Sequence, residues 1–179
     1  MFHIVLYQPE IPPNTGNVMR LCANIGAGLH LIRPLGFALE DKKLRRAGLD
    51  YREWANVHLY KDLEEFMERI QPTRLLAFST RGQRRYSDMR YQENDALLFG
   101  PETRGLPRTL LDQLQPEHRL TLPMLPGNRS LNLSNTVAVA AFEAWRQHNF
   151  IGANISPGSN SNQPKASEAD PIRKGKVIE

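Results

Sequence analysis

Residues 122–145, LPMLPGNRSLNLSNTVAVAAFEAW, carry the strongest signal in this chain for both fold and site. A strand end near Leu122 is followed by a loop with two prolines and a polar run, and then by an apolar helix. Such a loop brings polar side chains to a helix N-terminus, where free N–H groups and the helix dipole favour polar ligand groups. An ordinary strand–loop–helix connection with Ser134 as N-cap is the simpler interpretation. The number of polar side chains in one loop favours a ligand site.

Two further segments have the same build. Residues 97–107, LLFGPETRGLP, start as a short apolar run typical of a buried strand, which Gly100 stops before a helix that opens at Pro107. Near the N-terminus, residues 14–20, NTGNVMR, follow a strand and two prolines. Each segment follows the carboxyl end of a predicted strand, so we expect all three at the same edge of one sheet.

Together the three segments resemble the motifs of the SPOUT, or α/β-knot, RNA methyltransferases. The matching patterns are Asn14-x-Gly-Asn-x-x-Arg20, Phe99-Gly-Pro-Glu-x-x-Gly-Leu106 and Ser130-Leu131-Asn132-x-Ser134. The chain is most similar to the tRNA (cytidine/uridine-34) 2′-O-methyltransferase subfamily, and the resemblance runs to Trp145. It implies S-adenosyl-L-methionine as cofactor, the ribose of the wobble nucleotide in the tRNA anticodon stem-loop as substrate, and a homodimer.

The secondary-structure pattern alternates along the chain. Apolar runs predict strands near 2–7, 29–33, 56–60, 74–79, 96–100 and 118–123, and helical periodicity predicts helices near 15–26, 41–48, 61–70, 107–114 and 134–148. This order predicts an α/β fold with a mostly parallel sheet and helices on both faces. The resemblance adds a C-terminal deep trefoil knot, which the general rarity of knots would not suggest.

Two regions of different character divide the chain. Residues 1–150 form the predicted SPOUT methyltransferase domain, and residues 151–179 are rich in Ser, Asn, Gly and Pro. Because such a composition buries little apolar surface, we expect a flexible low-complexity tail, with a basic RNA-binding arm as the alternative.

The resemblance also implies roles for individual residues. The cofactor would contact Phe78, Gly100, Leu122, Ser130 and Leu131, and Arg20 would act on the ribose 2′-hydroxyl. Because a guanidinium stays protonated, we expect Arg20 to stabilise the developing alkoxide or position a phosphate rather than remove a proton. A surface ion pair is its alternative role. Glu102 would either pair with Arg104 on the surface, or hold the cofactor ribose or a group of the partner subunit.

Basic and polar side chains near these segments are the candidates for RNA contact. They are Asn14, Lys42, Arg84, Arg85 and Arg129. Positive charge interleaved with aromatic residues can bind phosphates and stack on bases. Solvated helix and loop faces remain the alternative for the basic residues, and fixing the loop is the alternative for Asn14.

Composition sets weaker bounds. Lys and Arg total 23 against 19 Asp and Glu, a net charge of +4 that suits an RNA partner without requiring one. The one cysteine, Cys22, lies in an apolar helical stretch and is expected to be a buried, inert thiol. The scattered histidines have no metal-ligand spacing. With neither a signal peptide nor a membrane-length apolar run, we expect a cytoplasmic protein. Two functions are alternatives to methylation of the wobble ribose. They are 2′-O-methylation at another tRNA or rRNA position, and the role of a non-catalytic RNA-binding module of the same fold.

Overall fold

The computed structural model describes residues 2–38 and 56–154. Its strands are β1 (His3–Tyr7), β2 (Gly28–Ile32), β3 (Val57–Tyr60), β4 (Arg74–Phe78), β5 (Arg84–Arg85), β6 (Asp95–Phe99) and β7 (Arg119–Thr121). Its α-helices are α1 (Pro12–Ile25), α2 (Leu63–Ile70), α3 (Arg108–Gln113) and α4 (Leu133–Gln147). Within the described residues the strands form one sheet in the order β3-β2-β1-β6-β4-β7-β5, and every neighbouring pair is parallel.

Helices cover both faces of this sheet. On one face α1 and α4 pack their apolar sides, among them Met19 and Val137, against strand residues such as Leu97. On the other face α2 and α3 contribute Phe66 and Leu111. The central strand β6 is buried at all five positions, as expected for a parallel strand covered on both sides. The predicted α/β class, with a parallel sheet between helices, is confirmed.

All predicted bounds of the described elements except the start of α1 agree with the structure to within two residues. The prediction that α1 starts at residue 15 is wrong, because the helix begins at Pro12. Pro12 and Pro13 occupy the first helical positions, where a missing N–H breaks no intrahelical bond. The two-residue strand β5 was not predicted, since it is too short to show a period. The helix predicted at 41–48 and residues 155–179 of the predicted tail lie outside the described residues.

Two local features bear on the sequence predictions. Cys22 is buried in α1, and burial raises the pKa of its thiol to about 12. The thiol therefore stays protonated, as expected for an inert packing residue. Among the helices of residues 2–38 and 56–154, none combines the length and the apolar character needed to cross a membrane.

Candidate active site

A cavity of about 400 Å³ opens at the carboxyl edge of the sheet, above β6, β4 and β7. This is the edge at which ligands bind in open parallel sheets, and the volume is within the range of small-molecule sites. Of the residues predicted from the sequence, Asn14, Phe78, Gly100, Leu122, Ser130 and Leu131 all line it. The fold thus brings the five predicted cofactor residues and Asn14 together from four separate stretches of chain.

Two stacked aromatic rings lie beneath the cavity. Phe78 and Phe99 end β4 and β6, and their ring centroids are 4.7 Å apart with an interplanar angle of 19°. Both side chains are at least 94% buried, in the core on the α1 and α4 face. Their rings therefore belong to the core, and the groups that Phe78 offers to the cavity are mainly those of its backbone.

The wall formed by residues 100–106 depends on close backbone packing. A Cβ atom built on Gly100 would lie 2.4 Å from the backbone nitrogen of Leu106 and 2.5 Å from the carbonyl carbon of Gly105. Gly105 has a φ of 67°, a left-handed conformation that glycine adopts without strain. The loop turns back on itself at Gly105 and packs against its own beginning at Gly100.

The side chain of Glu102 connects this wall to the start of α1. Its carboxylate accepts hydrogen bonds from the backbone N–H of Glu10 at 2.8 Å and of Ile11 at 3.3 Å, and from Nδ2 of Asn14 at 3.0 Å. The N-cap residue Ile11 has no capping side chain of its own. Glu102, which also lines the cavity, therefore satisfies N–H groups at the helix start, a role that was not predicted from the sequence.

The hydrogen bonds continue from Asn14 into the third loop. Oδ1 of Asn14 accepts a hydrogen bond from Nδ2 of Asn132 at 2.9 Å, and Oδ1 of Asn132 accepts from the backbone N–H and the hydroxyl of Ser134. The prediction that Ser134 is the N-cap of α4 is wrong, because Asn132 is the cap and α4 begins at Leu133. One polar chain through Glu102, Asn14 and Asn132 thus ties the three motif segments together.

A second set of contacts also joins the wall at residues 100–106 to the chain before α1, and here the carboxylate of Glu10 is the acceptor. Oε2 of Glu10 accepts hydrogen bonds from the hydroxyl of Thr103 at 2.6 Å and from its backbone N–H at 3.1 Å. Arg104 forms an ion pair with Glu10 at 3.2 Å and donates to Oε1 of Gln8 at 2.8 Å. The hydrogen bonds from Thr103, together with the charge of Arg104, hold the pKa of the Glu10 carboxyl below its ordinary value.

The arginines predicted from the sequence for catalysis or RNA contact lie outside the cavity lining. Arg20 is exposed on α1, and Arg129 is exposed in the loop directly before Ser130. Arg84 and Arg85 both contact Asp88, Arg84 through the Asp88 carbonyl and Arg85 through an ion pair at 3.0 Å. Lys42 lies outside the described residues. The predicted contacts of these residues with RNA stay predictions.

The sequence reasoning missed part of the lining. Residues 79–81 line the cavity beside Phe78, and so do Ile11, Met124 and Thr136. The position of residues 79–81 directly after a buried strand was an available signal, since loops at the carboxyl ends of parallel strands meet at this edge. Within the described parts of the chain, no group of three or more His, Cys, Asp or Glu side chains is placed to bind a metal ion.

Comparison with known proteins places this architecture in a family. The model of the SpoU rRNA Methylase family matches residues 1–142, which is more than half of the chain. The chain therefore belongs to the SpoU rRNA methylase family. The resemblance to SPOUT-type RNA methyltransferases is confirmed.

The chain aligns with named relatives over nearly the whole length of those relatives. The chain is 60% identical over 153 residues to a tRNA (cytidine(34)-2′-O)-methyltransferase of Methylovorus glucosotrophus, covering 86% of this chain and 99% of that protein. It is 55% identical to the protein of the same name from Escherichia coli K12, covering 86% of this chain and 98% of the relative.

Solved structures of similar RNA methyltransferases have the same fold as this chain. One, described under structural insights into the 2-OH methylation of C/U34 on tRNA, has a TM-score of 0.77 and 49% identity and covers 83% of this chain and 97% of its own. A putative RNA methyltransferase from Bacillus anthracis has a TM-score of 0.78 and 44% identity, over 87% of this chain and 99% of its own.

Proposed function

We propose that this protein is a tRNA (cytidine/uridine-34) 2′-O-methyltransferase, which transfers a methyl group from S-adenosyl-L-methionine to the ribose of the wobble nucleotide. The observation that carries the proposal is the convergence of three loops on one cavity, in a chain 55–60% identical to enzymes of that name. Such an enzyme acts where its tRNA substrate is, and we place it in the cytoplasm.

The residues around the cavity fit an adenosine-type cofactor. We assign its contacts to Phe78, Gly100, Leu122, Ser130 and Leu131, which together present backbone amides, one hydroxyl and apolar side chains. The closely packed backbone at Gly100 leaves a smooth wall without side-chain bulk. When bound, the cofactor supplies an electrophilic methyl group on a positively charged sulfur. The loops contribute by orienting that group and by excluding water from it.

Arg20 is the proposed catalytic residue. It lies on α1, whose start Glu102 and Asn14 fix to the cavity wall, so the helix holds a fixed position relative to the cofactor loops. A protonated guanidinium can donate to the ribose oxygen as negative charge develops there, or hold the adjacent phosphate.

For this role, Arg20→Ala should lower turnover by about 10²-fold or more while affinity for S-adenosylhomocysteine, measured by calorimetry, stays within about twofold. Arg20→Lys should restore little, because an ammonium lacks the planar fork of donors. Near-normal turnover of the alanine variant would assign Arg20 to an ordinary surface interaction instead.

For RNA contact we propose Arg129, Lys42, Arg84 and Arg85. Arg129 has the best-supported position, because it is exposed and precedes the cavity residue Ser130. Both polar atoms of Asn14 are already bonded to Glu102 and Asn132, and the side chain is only 5% exposed. We therefore assign Asn14 to holding the loops in place rather than to touching RNA.

A second copy of the chain is the proposed partner of α4. The helix leaves Val139 and Phe142 39% and 45% exposed, and Phe142 packs edge-on against Trp145. Apolar side chains grouped on one helix face are typical of a two-fold helix interface. Light scattering tests the dimer. The Phe142→Glu variant should be a monomer, whereas Arg108→Glu on α3 should leave the dimer intact. A monomeric wild-type protein would contradict the proposal.

We also propose that the chain is knotted. β7 lies between β4 and β5, two strands formed earlier in the chain. The helix before it, α3, packs on one face of the sheet and the helix after it, α4, on the other. The backbone N–H groups of Ser79 and Gln83 both donate to carbonyls of β7, so the connection between β4 and β5 spans that strand.

Pulling on both ends tests the knot. A knotted chain should stop short of the roughly 3.3–3.6 Å per residue reached by a fully extended one. An unfolded length equal to that of an unknotted chain would overturn the assignment.

The enzymatic assignment is tested by mapping ribose methylation. Purified protein is incubated with labelled cofactor and total tRNA from cells lacking the protein, and the labelled nucleotide is identified by mass. We expect label on nucleotide 34 of a subset of tRNAs. Label at another position alone would leave a methyltransferase but exclude the wobble nucleotide, and no label on any RNA would exclude catalysis.

A further inference from the structure

The arginines of the described residues divide into paired and unpaired groups. Most form an ion pair or a side-chain hydrogen bond, for example Arg74 with Asp95 and Arg104 with Glu10. Within residues 2–38 and 56–154, four guanidinium groups have no such partner. These are Arg33, Arg81, Arg90 and Arg129, all of them exposed.

Three of the four lie at the carboxyl edge of the sheet, where the cavity opens. Arg33 directly follows β2, and its backbone N–H still continues the ladder to Tyr60 of β3 at 3.0 Å. Arg81 lies three residues after β4 and lines the cavity, and Arg129 precedes the lining residue Ser130. Arg90 lies at the opposite edge, shortly before β6 begins.

Nearby carboxylates do not neutralise these three side chains. The carboxylate of Glu10 is bound by Thr103 and Arg104, and that of Glu102 by two backbone N–H groups and Asn14. Arg33, Arg81 and Arg129 therefore leave positive charge with unused donors around the cavity mouth. An exposed guanidinium offers a planar fork that binds phosphate oxygens in pairs.

The distance between Arg33 and Arg81 favours an extended polyanion as their ligand. Arg33 and Arg81 follow strands that are three positions apart in the sheet, β2-β1-β6-β4, or about 14 Å at the usual strand separation. Arg81 lines the cavity and Arg33 does not, so a small molecule bound inside the cavity would meet Arg81 but not Arg33. A nucleic-acid backbone crossing the mouth would meet both.

We propose that Arg33 and Arg81, together with Arg129, form an arginine rim that binds backbone phosphates of the substrate RNA on both sides of the reacting nucleotide. This inference rests on the proposed function, and it names phosphate contacts that flank the cavity. The rim places the RNA backbone across the carboxyl edge of the sheet, so that one ribose lies over the cavity.

The test compares Arg33→Gln, Arg81→Gln and the double variant with Arg90→Gln, which removes the same charge from the opposite edge. Binding of an anticodon stem-loop RNA is measured by fluorescence anisotropy over a range of salt concentrations. Each rim substitution should flatten the dependence of log K on log salt by about 0.7–0.9, and the double variant by about twice that. Arg90→Gln should keep the wild-type slope.

Turnover and cofactor binding complete the test. KM for the RNA should rise about two- to tenfold in each rim variant with kcat little changed, because exposed charge contacts are individually weak. Affinity for S-adenosylhomocysteine should stay at the wild-type value, and loss of it in Arg81→Gln would assign Arg81 to the cofactor carboxylate instead. Equal slopes in rim and control variants would overturn the rim while the wild-type protein still methylates tRNA. A wild-type protein that modifies no RNA would defeat the proposed function itself.

Discussion

Gly100 shows how a single missing side chain shapes the cavity wall. Its position allows the backbone at Gly105 and Leu106 to pack against the start of the same loop at distances that no Cβ atom tolerates. The contact is between backbone segments, so a larger residue has no flexible neighbour to displace. The wall is therefore sensitive to volume at this one position.

Gly100→Ala should push residues 105–106 away and lower affinity for S-adenosylhomocysteine at least about tenfold, since overpacking costs about 1–3 kcal/mol. Gly105→Ala is the matched comparison in the same loop. A Cβ there meets nothing within 4 Å, but φ is 67°. It should cost about 1–2 kcal/mol of stability and leave cofactor affinity nearly unchanged. Calorimetry and urea unfolding separate the two effects, and unchanged affinity in Gly100→Ala would remove this wall from the cofactor site.

At the scale of elements, α1 depends on a residue that lies far away in the sequence. Its first two residues are prolines and its N-cap has no capping side chain, so the N–H groups before it are satisfied by Glu102. The same carboxylate holds Asn14, which in turn holds Asn132 at the start of α4. The two helices on this face are thus fixed to the cavity wall through one side chain.

Glu102→Ala should lower the free energy of unfolding by about 1–3 kcal/mol, because two backbone N–H groups and the Asn14 amide lose their acceptor. Urea unfolding measures this loss, and methyl transfer should fall as well because α1 is no longer fixed. Glu68→Ala on α2 is the control, since Glu68 is an exposed helix residue and should change stability by less than about 0.5 kcal/mol. Equal stability of the two variants would contradict the capping role.

These contacts also show where sequence reasoning reaches its limit. Strand and helix periodicity predicted the described elements other than β5. Five predicted residues of the motif segments line the cavity, as does Phe78, which the family resemblance supplied. The start of α1 and the role of Glu102 were missed for one physical reason. The cap of that helix is supplied from about 90 positions further along the chain. Residue type alone favours Ser134 as the cap in the simpler interpretation of the loop, although Asn132 supplies the accepting oxygen.

At the scale of the whole molecule, a hydrogen-bonded pair of histidines, the half-buried His3 and the buried His30, lies towards the amino edge of the sheet, away from the cavity. Nε2 of His3 is 2.8 Å from Oδ1 of Asn94, and Nδ1 of His3 is 2.9 Å from Nε2 of His30. Nδ1 of His30 is 2.9 Å from the hydroxyl of Tyr60. Asn94 can only accept at that oxygen, so Nε2 of His3 donates to it. One proton between Nδ1 of His3 and Nε2 of His30 then completes a set in which both imidazoles are neutral.

Burial lowers the pKa of His30 to about 3, with His3 and His58 adding to the shift, and burial also lowers the pKa of His3. An unfolded histidine takes up a proton near pH 6.5, whereas in the folded protein the pKa of His30 is about 3 and that of His3 is below its ordinary value. Their contribution to stability is therefore complete above about pH 6.5 and is lost as the pH falls towards the folded pKa values. For His30 the loss approaches about 1.4 kcal/mol per pH unit below about pH 6.5. His3 adds to it in the same direction.

Urea unfolding between pH 7.5 and pH 5 should show this slope. His30→Phe should be less stable at neutral pH, because Tyr60 and His3 lose a partner, but its stability should fall less steeply on acidification. His118→Gln, which changes a partly exposed histidine, should retain the wild-type slope. A wild-type slope in His30→Phe would show that the acid sensitivity arises elsewhere.

The position of β1 in the sheet has a consequence for the order of events at the ribosome. β1 is made before both of its neighbours, and one of them is β6, whose residues 95–99 emerge about 90 positions later. Until then one edge of an apolar strand lacks its partner, and the start of α1 lacks the carboxylate of Glu102. The nascent N-terminal half therefore exposes a strand edge of the kind that pairs with other chains. Slowing translation before residue 95 should lengthen that exposure and increase aggregation or chaperone binding, even though the finished protein is unchanged.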